Sequence, residues 1–513
     1  MTKTWKKIVA SLLAAMLLTA SFAACGGDDP VQAENGSSGE NTSNVGAEAG
    51  DTAQDDGELV HMVVWSNGDA NTEDCEEVSA AITEITSEKI GVEVEVMRGL
   101  DAEKMNLALT SGEQVDLMNF SSYTGGISAL VSAGMATPLD DLVEEYGQET
   151  LALIPAEDLE CGKIDGVLYS IPSLKDTARA AGFAMRMDIL DELGIDPATI
   201  ETYDDVHDVL VKVHEAYPDM YPLVPSWGGG GMQEIIPFDN LGDKLGVLED
   251  CNSDSTTVVN LYETDSYREL CERMYQWNQE GLIMPDATTT TENNLLSTVG
   301  FCDYENIKPG KALEMQKSYG KEFALIQITD PYKYTEITGG SSFFIPSSSE
   351  RPDKAMQLWN LMFTDPEISN LFVNGLEGKH WVYTDDTHTF ITTPEGMDST
   401  ASGYSCVDWS WPNPRITPVW EGGDADLWDQ YQTFTEGAVA SPALGFQWDS
   451  TPVMNQVTAC NNVVSKYDTA LRWGVLDPAE SLPEFIEALK SAGIDDIVAE
   501  KQAQLDQWLE NRQ

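Results

Sequence analysis

Between Leu59 and Phe120 the apolar period of the sequence changes several times, and that alternation restricts the folds open to the chain. Leu59–Trp65 is a short, nearly continuous apolar run suited to a buried strand, and a polar loop from Ser66 to Asn71 follows. Val78, Ile82 and Ile85 share one helix face, Gly91 stops that helix, and Val92, Val94 and Val96 alternate as a second strand. A helix around Lys104–Leu109 ends near Gly112, and Val115–Phe120 reads as another buried strand. Strand, helix and strand repeated in this order predict a parallel sheet covered by helices, an α/β lobe.

A chain of 513 residues exceeds what one core ordinarily serves, about 100–200 residues, so two lobes are the default. The pattern changes near Ile171-Pro172. Met185–Leu193 is expected to form a helix stopped by Gly194, and Thr202 and Asp205 stand at capping-box spacing. Val206, Val209, Leu210 and Val213 line one helix face that ends at Pro218. Helical and strand-like runs return from Leu295 to Thr329, and the strand Ser342–Ile345 leads into helices with Pro352 and Pro366 in their first turns. Phe485, Ile486 and Leu489, the stop at Gly493, and then Val498, Leu505, Trp508 and Leu509 set out two terminal helices. There is no repeat of fixed period.

The first residues carry an address. Lys3, Lys6 and Lys7 precede an uncharged apolar run from Ile8 to Ala24 that is too short to span a bilayer and stops at Ala23-Ala24-Cys25-Gly26. This is the pattern of a signal peptide (1–24) with a lipoprotein cleavage site, so Cys25 is expected to become the lipidated first residue. The segment to residue 57 is polar and poor in large apolar side chains, as a disordered tether would be. The remaining seven cysteines, Cys75, Cys161, Cys251, Cys271, Cys302, Cys406 and Cys460, are odd in number and irregularly spaced. They read as small apolar side chains rather than a disulfide framework or a thiolate metal site. With 28 basic and 87 acidic residues the net charge is −59, which repels nucleic acid and anionic lipid surfaces and otherwise reads as a solvated surface.

Four stretches follow one another in order: Val64-Trp65-Ser66-Asn67-Gly68-Asp69, Ser111-Gly112-Glu113 with Asp116-Leu117, Asp165-Gly166-Val167-Leu168-Tyr169-Ser170-Ile171-Pro172, and Arg186-Met187-Asp188-Ile189-Leu190 with Leu193-Gly194-Ile195. Together they resemble the extracellular solute-binding proteins of ABC importers, the sugar-binding type similar to maltodextrin-binding proteins. Gly375-Leu376-Glu377-Gly378-Lys379-His380, Ala492-Gly493-Ile494 and Gln502-Ala503-Gln504-Leu505 are similar to a Gram-positive lipoprotein subgroup with an extra C-terminal region. The resemblance implies a two-lobe periplasmic-binding-protein-like fold of type II, α/β, with mostly parallel sheets flanked by helices and a helical C-terminal extension. The expected division is 58–175 plus about 297–338 for the first lobe, 176–296 plus about 339–445 for the second, and 446–513 for the C-terminal region.

On the same resemblance Asp69 accepts hydrogen bonds from sugar hydroxyls, although it would serve equally as an N-cap. Phe120 and Tyr123 would supply a stacking face and a hydroxyl, with core packing an equal alternative for Phe120. Asp176 matches an acidic sugar ligand at the lobe crossing, shortened here from Glu. Trp227, before Gly228-Gly229-Gly230-Gly231, offers either an aromatic face to a ligand or a loop anchor. Trp409, Trp411 and Trp448 stand in Pro- and Gly-containing stretches suited to loops. Glu377, Lys379 and His380 read as a structural turn.

Enzyme signatures are missing. The five histidines make no H-E-x-x-H, and neither G-x-S-x-G nor a P-loop occurs. Asp250, Asn252 and Asp254 begin like a calcium loop, but Ser255 and Leu261 replace its Gly and Glu. The expected function is therefore binding without catalysis, cofactor or metal: a monomer, anchored by lipid to the outer face of the cell membrane, captures a carbohydrate and delivers it to ABC permease subunits. A peptide-binding or other nutrient-binding lipoprotein and a lipid-anchored glycoside hydrolase are the alternatives, the latter because so many carboxylates always permit some pair.

Overall fold

A computed structural model describes residues 59–121, 126–232, 235–397, 403–405 and 408–512, except for the Asp408 side chain. Cys25, Tyr123 and Cys406 lie outside the described residues.

The strands that frame the fold are, in chain order, β1 (Val60–Trp65), β2 (Val92–Met97), β3 (Leu117–Ser121), β4 (Ile171–Pro172), β5 (Ala180–Arg186), β6 (Tyr221–Leu223), β7 (Gly300–Ile307), β8 (Phe323–Gln327), β9 (Tyr332–Lys333), β10 (Ser341–Phe344) and β11 (Val439–Ala440). The first sheet has the order β2-β1-β3-β10-β4 and the second β8-β5-β7-β6. The class read from the sequence stands: α/β, two sheets, each with helices and a core of its own.

The opening unit forms as its punctuation demands. In the helix Thr72–Ile90 the Asn71 side chain accepts the Asp74 N–H, and Gly91, at φ +66°, closes the other end. Val78 and Ile82 are buried against Met62 and Val64. β2 is the free edge of its sheet, and two hydroxyls of this helix cover it: Thr83 Oγ1 accepts from Val94 N at 3.0 Å and Ser79 Oγ from Val96 N at 2.9 Å. The capping box of Thr202 and Asp205 forms as read.

Three expectations need correction. Residues 300–307 and 323–327 belong to the second sheet, where Cys302 faces Met185 and Phe323 faces Arg186. Residues 341–344 belong to the first, where Phe344 faces Met118 and Phe343 faces Ile171. The expected exchange of 297–338 and 339–445 between lobes is thus reversed, because strand partners are chosen by pairing across the chain and leave no local mark. The sheets are also mixed rather than mostly parallel. β1 pairs in parallel with β2 and β3, but β10 runs antiparallel to β3 and β4, and β5 runs antiparallel to β7 and β8. Finally, Met185 and Arg186 end β5 and the helix starts at Met187.

Three segments cross between the sheets. The first joins β4 to β5, the second carries β9 from β8 to β10, and the third contains β11, which pairs with β9. After the third crossing the chain forms helices Met454–Arg472, Pro478–Ala492 and Ile494–Asn511; the first two pack on the helix Asp265–Gln279 and the third packs on them. Trp473, between the first two, enters the core of the second sheet, so the C-terminal region belongs to that lobe. Lys501 fastens the last helix. Wholly buried, it donates to Asp243 Oδ1 at 2.6 Å and to the carbonyls of Gly246 at 2.8 Å and Asn240 at 3.3 Å. Burial lowers its pKa, and Asp243 restores part of the loss. Among the described residues six cysteines are free thiols, five of them buried.

Replacing Lys501 by Ala leaves Asp243 and two buried carbonyls without their partner, and should cost about 3–5 kcal/mol in denaturant unfolding, with Lys501→Met costing less. Asp239 gives a pH signature. Burial raises its carboxyl to about 6, against hydrogen bonds from Ser441 and the Leu241 N–H. The folded state therefore holds this proton more tightly than the unfolded chain does. The stability this contributes is complete below about pH 4 and is lost as pH rises through about 6, a swing of about 3 kcal/mol at 1.36 kcal/mol per pKa unit. Unfolding of Asp239→Asn at pH 4, 5, 6 and 7 should lack that component relative to the parent.

Candidate functional site

Three loops leave the carboxyl ends of strands, the places where α/β sheets ordinarily take ligands: Ser66–Asp69 after β1, 224–231 after β6 and 308–310 after β7. Asp69 is exposed. Because Asn71 caps the following helix, the Asp69 carboxylate is released from that duty. Its backbone is pinned instead, with Ser405 N donating to Asp69 O at 2.7 Å and Asp69 N to Ser405 Oγ at 3.2 Å. Neighbouring Asn67 accepts from Ser410 Oγ at 3.2 Å. Arg98, at the end of β2, ties the whole loop down, donating to Ser66 Oγ, the Phe372 carbonyl and the Tyr404 hydroxyl. The loop is thus held at its backbone while the Asp69 carboxylate stays exposed.

Asp176 stands on the first crossing and accepts from Lys308 Nζ at 2.6 Å through Oδ2. Burial works to lower Lys308, yet Asp176 and Glu314 hold its ammonium above the ordinary lysine value. Trp227 is 43% exposed, the largest exposed aromatic surface among the described residues. The chain wraps round it: Gly231 N donates to its carbonyl at 3.2 Å, and a Cβ at Gly231 would stand 2.1 Å from the indole Nε1. Gly228 leaves no more room, since its Cβ would meet the Thr291 backbone at 2.8 Å. The glycine run thus serves close packing that leaves the indole presented. Trp409 is partly buried beside Ser410.

Three expected residues are elsewhere. Phe120 is fully buried, edge-on to Phe344 at 6.2 Å. Trp411 is fully buried against Phe343 and Phe372, and its Nε1–H donates to Ser369 Oγ at 2.8 Å. Both are core side chains with no face open to a ligand. Trp448 donates to Asp243 Oδ2 at 3.1 Å, with Lys501 Nζ 5.2 Å from its ring centre, so it secures the C-terminal helix. The turn at Glu377, Lys379 and His380 is structural as read: Lys379 pairs with Asp74 at 2.6 Å and Glu77 at 2.7 Å, and His380 lies 3.2 Å from Asp74. Arg98, Lys175, Lys308 and Glu314 are polar residues of this region that no sequence pattern picks out. Among the described residues no group of His, Cys, Asp or Glu is arranged to hold a metal ion, and no helix is long and apolar enough to cross a membrane.

Two sheets joined by crossing segments are the architecture of a solute-binding protein. Residues 70–367 match the family of bacterial extracellular solute-binding proteins, and the chain belongs to it. Residues 442–510 match a domain of unknown function (DUF3502). The chain is 27% identical over 526 residues to a carbohydrate ABC transporter substrate-binding protein of Streptococcus pneumoniae serotype 4 (strain ATCC BAA-334 / TIGR4), covering 99% of this chain and 100% of the relative. It is 26% identical over 191 residues to lipoprotein LipO of Bacillus subtilis (strain 168), 36% of this chain and 37% of that one. The crystal structure of the N-glycan transport solute binding protein (NgtS) from Streptococcus pneumoniae superposes with TM-score 0.80 at 24% identity, covering 88% of this chain and all of that one. Structures of NgtS in complex with Man1GlcNAc and Man5GlcNAc superpose with TM-scores 0.72 and 0.69 over 88% of this chain and 99% of theirs, again at 24% identity.

The geometry separates buried side chains from exposed ones. Phe120→Ala or Trp411→Ala should cost about 3–5 kcal/mol in chemical denaturation by opening core cavities. Asp69→Ala, at an exposed side chain that caps nothing, should leave the melting temperature unchanged within about 0.5 kcal/mol of stability. A large loss of stability at Asp69 would contradict the assignment.

Proposed function

We propose that this chain is the lipid-anchored, extracellular substrate-binding component of an ABC importer, taking up an oligosaccharide between its lobes and delivering it to permease subunits. The observation that carries this reading is the full-length similarity to a carbohydrate ABC transporter substrate-binding protein, taken with a cleft boundary that offers sugar-type chemistry. That chemistry is a free carboxylate at Asp69, a second carboxylate at Asp176 and the exposed indole of Trp227. Carboxylates accept from sugar hydroxyls in charge-assisted hydrogen bonds, and an indole face covers the apolar C–H surface of a sugar ring. Lipidation at Cys25 and a polar tether would keep the folded part beside its permease, since one lipid signal on a leash leaves the rest in water. The chain acts as a monomer and forms no product.

Thermal shift of the purified full-length chain against a panel of neutral oligosaccharides and peptides tests this. A ligand that binds only the folded form should add about 2.7 kcal/mol at a hundredfold excess over its Kd. Mass spectrometry of each stabilising ligand should recover it intact. Asp69→Ala and Trp227→Ala should each weaken such binding about tenfold while leaving the fold in place. Stabilisation by peptides alone would move the substrate class, and a cleaved oligosaccharide would overturn the binding-only reading.

A further inference from the structure

Three lysines and three carboxylates meet where the first crossing segment passes the helix Lys311–Tyr319. Lys175 Nζ lies 3.4 Å from Glu314 Oε1. Lys308 Nζ lies 2.6 Å from Asp176 Oδ2 and 3.3 Å from Glu314 Oε1. Lys311 Nζ lies 3.1 Å from Glu305 Oε1 and 3.6 Å from Glu314 Oε2. Asp303, also on β7, is wholly buried, and burial pushes its carboxyl well above the usual range. The three paired lysines and the three carboxylates they meet are equal in number.

Their exposure does not balance. The side chains of Lys175, Lys308 and Lys311 are 4%, 5% and 16% exposed, whereas those of Asp176 and Glu314 are 21% and 38% exposed. The ammoniums form an inner layer and two carboxylates an outer one. Burial acts to raise the Glu314 carboxyl, but Lys308, Lys175 and Lys311 bring it down to about 2, which keeps it ionised at any physiological pH. Within the cluster two polar atoms that are themselves buried, Asp176 Oδ1 and the Tyr431 hydroxyl, have no hydrogen-bond partner. Tyr431 belongs to the same group, since Lys175 Nζ stands 5.7 Å from its ring centre. Buried polar atoms are almost always paired in folded proteins, so two unmet ones in a single cluster point to a group that completes them.

We infer that Glu314, acting with Asp176, is a specificity-determining residue of the cleft: it selects neutral, hydroxyl-rich oligosaccharides and turns away those that carry a carboxylate. The inference rests on the carbohydrate-binding reading above. A sugar hydroxyl approaching this layer meets strong acceptors whose charge is already balanced from beneath, so it gains a charge-assisted bond without importing a counter-charge. A uronic or sialic acid meets the same layer as like charge, and the ammoniums that would receive it are buried behind Glu314 and Asp176 and already engaged. Rejection of the acidic ligand is thus built into the order of the layers.

Isothermal titration of the full-length chain with neutral oligosaccharides, and with the same oligosaccharides bearing one uronic acid, tests the inference. The neutral member of each pair should bind at least about tenfold more tightly. Glu314→Gln should weaken the neutral ligand about tenfold and bring the two members to within about threefold of each other. Since Glu314→Gln also deprives the lysines of a partner, Glu314→Asp is measured beside it. That variant keeps the charge and the fold, shown by its melting curve, but withdraws the carboxylate by one methylene, and it should also weaken the neutral ligand. If neutral oligosaccharides bind and their acidic partners bind equally well, or if both variants bind like the parent, the role of Glu314 is overturned while carbohydrate binding stands. If no oligosaccharide of either kind binds, the carbohydrate reading itself falls.

Discussion

Where the chain passes between its two sheets, three crossing segments lie side by side and bond to one another, and both lobes depend on that ribbon. Arg179 and Tyr332 exchange backbone hydrogen bonds at 3.0 and 2.8 Å. Val439 N donates to Pro331 O at 2.9 Å, and Ser441 N to Lys333 O at 2.9 Å. The crossing is also bolted to the first lobe by charge. Lys333, on β9, reaches Asp158 at 2.8 Å and Glu157 at 2.6 Å, with Lys333 and Asp158 both buried. Burial pushes the Asp158 carboxyl up, and the Lys333 ammonium beside it offsets part of that rise. A buried pair of this kind adds little net stability, but losing one partner is costly, so it fixes where the strand must lie. Lys308 and Asp176 play the matching part at the other end.

The first lobe's opening unit was legible because its signals are local. Gly91 marks a helix end whatever surrounds it, and the alternation of Val92, Val94 and Val96 names the buried face of a strand. Asn71 rather than Asp69 takes the cap, a choice between two neighbouring side chains that only the backbone geometry decides. Lobe membership was not legible. Phe323 finds Arg186 and Phe344 finds Met118 across long stretches of chain, and neither strand carries a trace of its partner in its own residues. The helix drawn at Met185 failed for a related reason: β5 is buried on both faces, so its apolar run flows into the following helix without a change of period.

The expected site residues divide along the same line. Asp69, Asp176 and Trp227 lie in segments that follow strand ends, outside the packed cores. Phe120 and Trp411 carry the same residue types but face inward. Nothing in sequence tells a stacking aromatic from a core aromatic when both follow a buried strand or sit in a proline-rich loop. Lys175, Lys308, Lys311 and Glu314 come together only because a crossing segment passes a helix start, a meeting of distant residues that composition conceals among 87 carboxylates.

The third crossing changes the mechanics of the joint. A pair of strands can shear and twist as well as bend, whereas three strands cross-bonded in a row resist in-plane distortion and yield mainly to flexure across their flat face. Because the C-terminal helices hang from that third strand and pack with the second lobe, that lobe swings as one heavy body on what amounts to a leaf spring with a single soft axis. Motion of the lobes is thereby channelled into one coordinate.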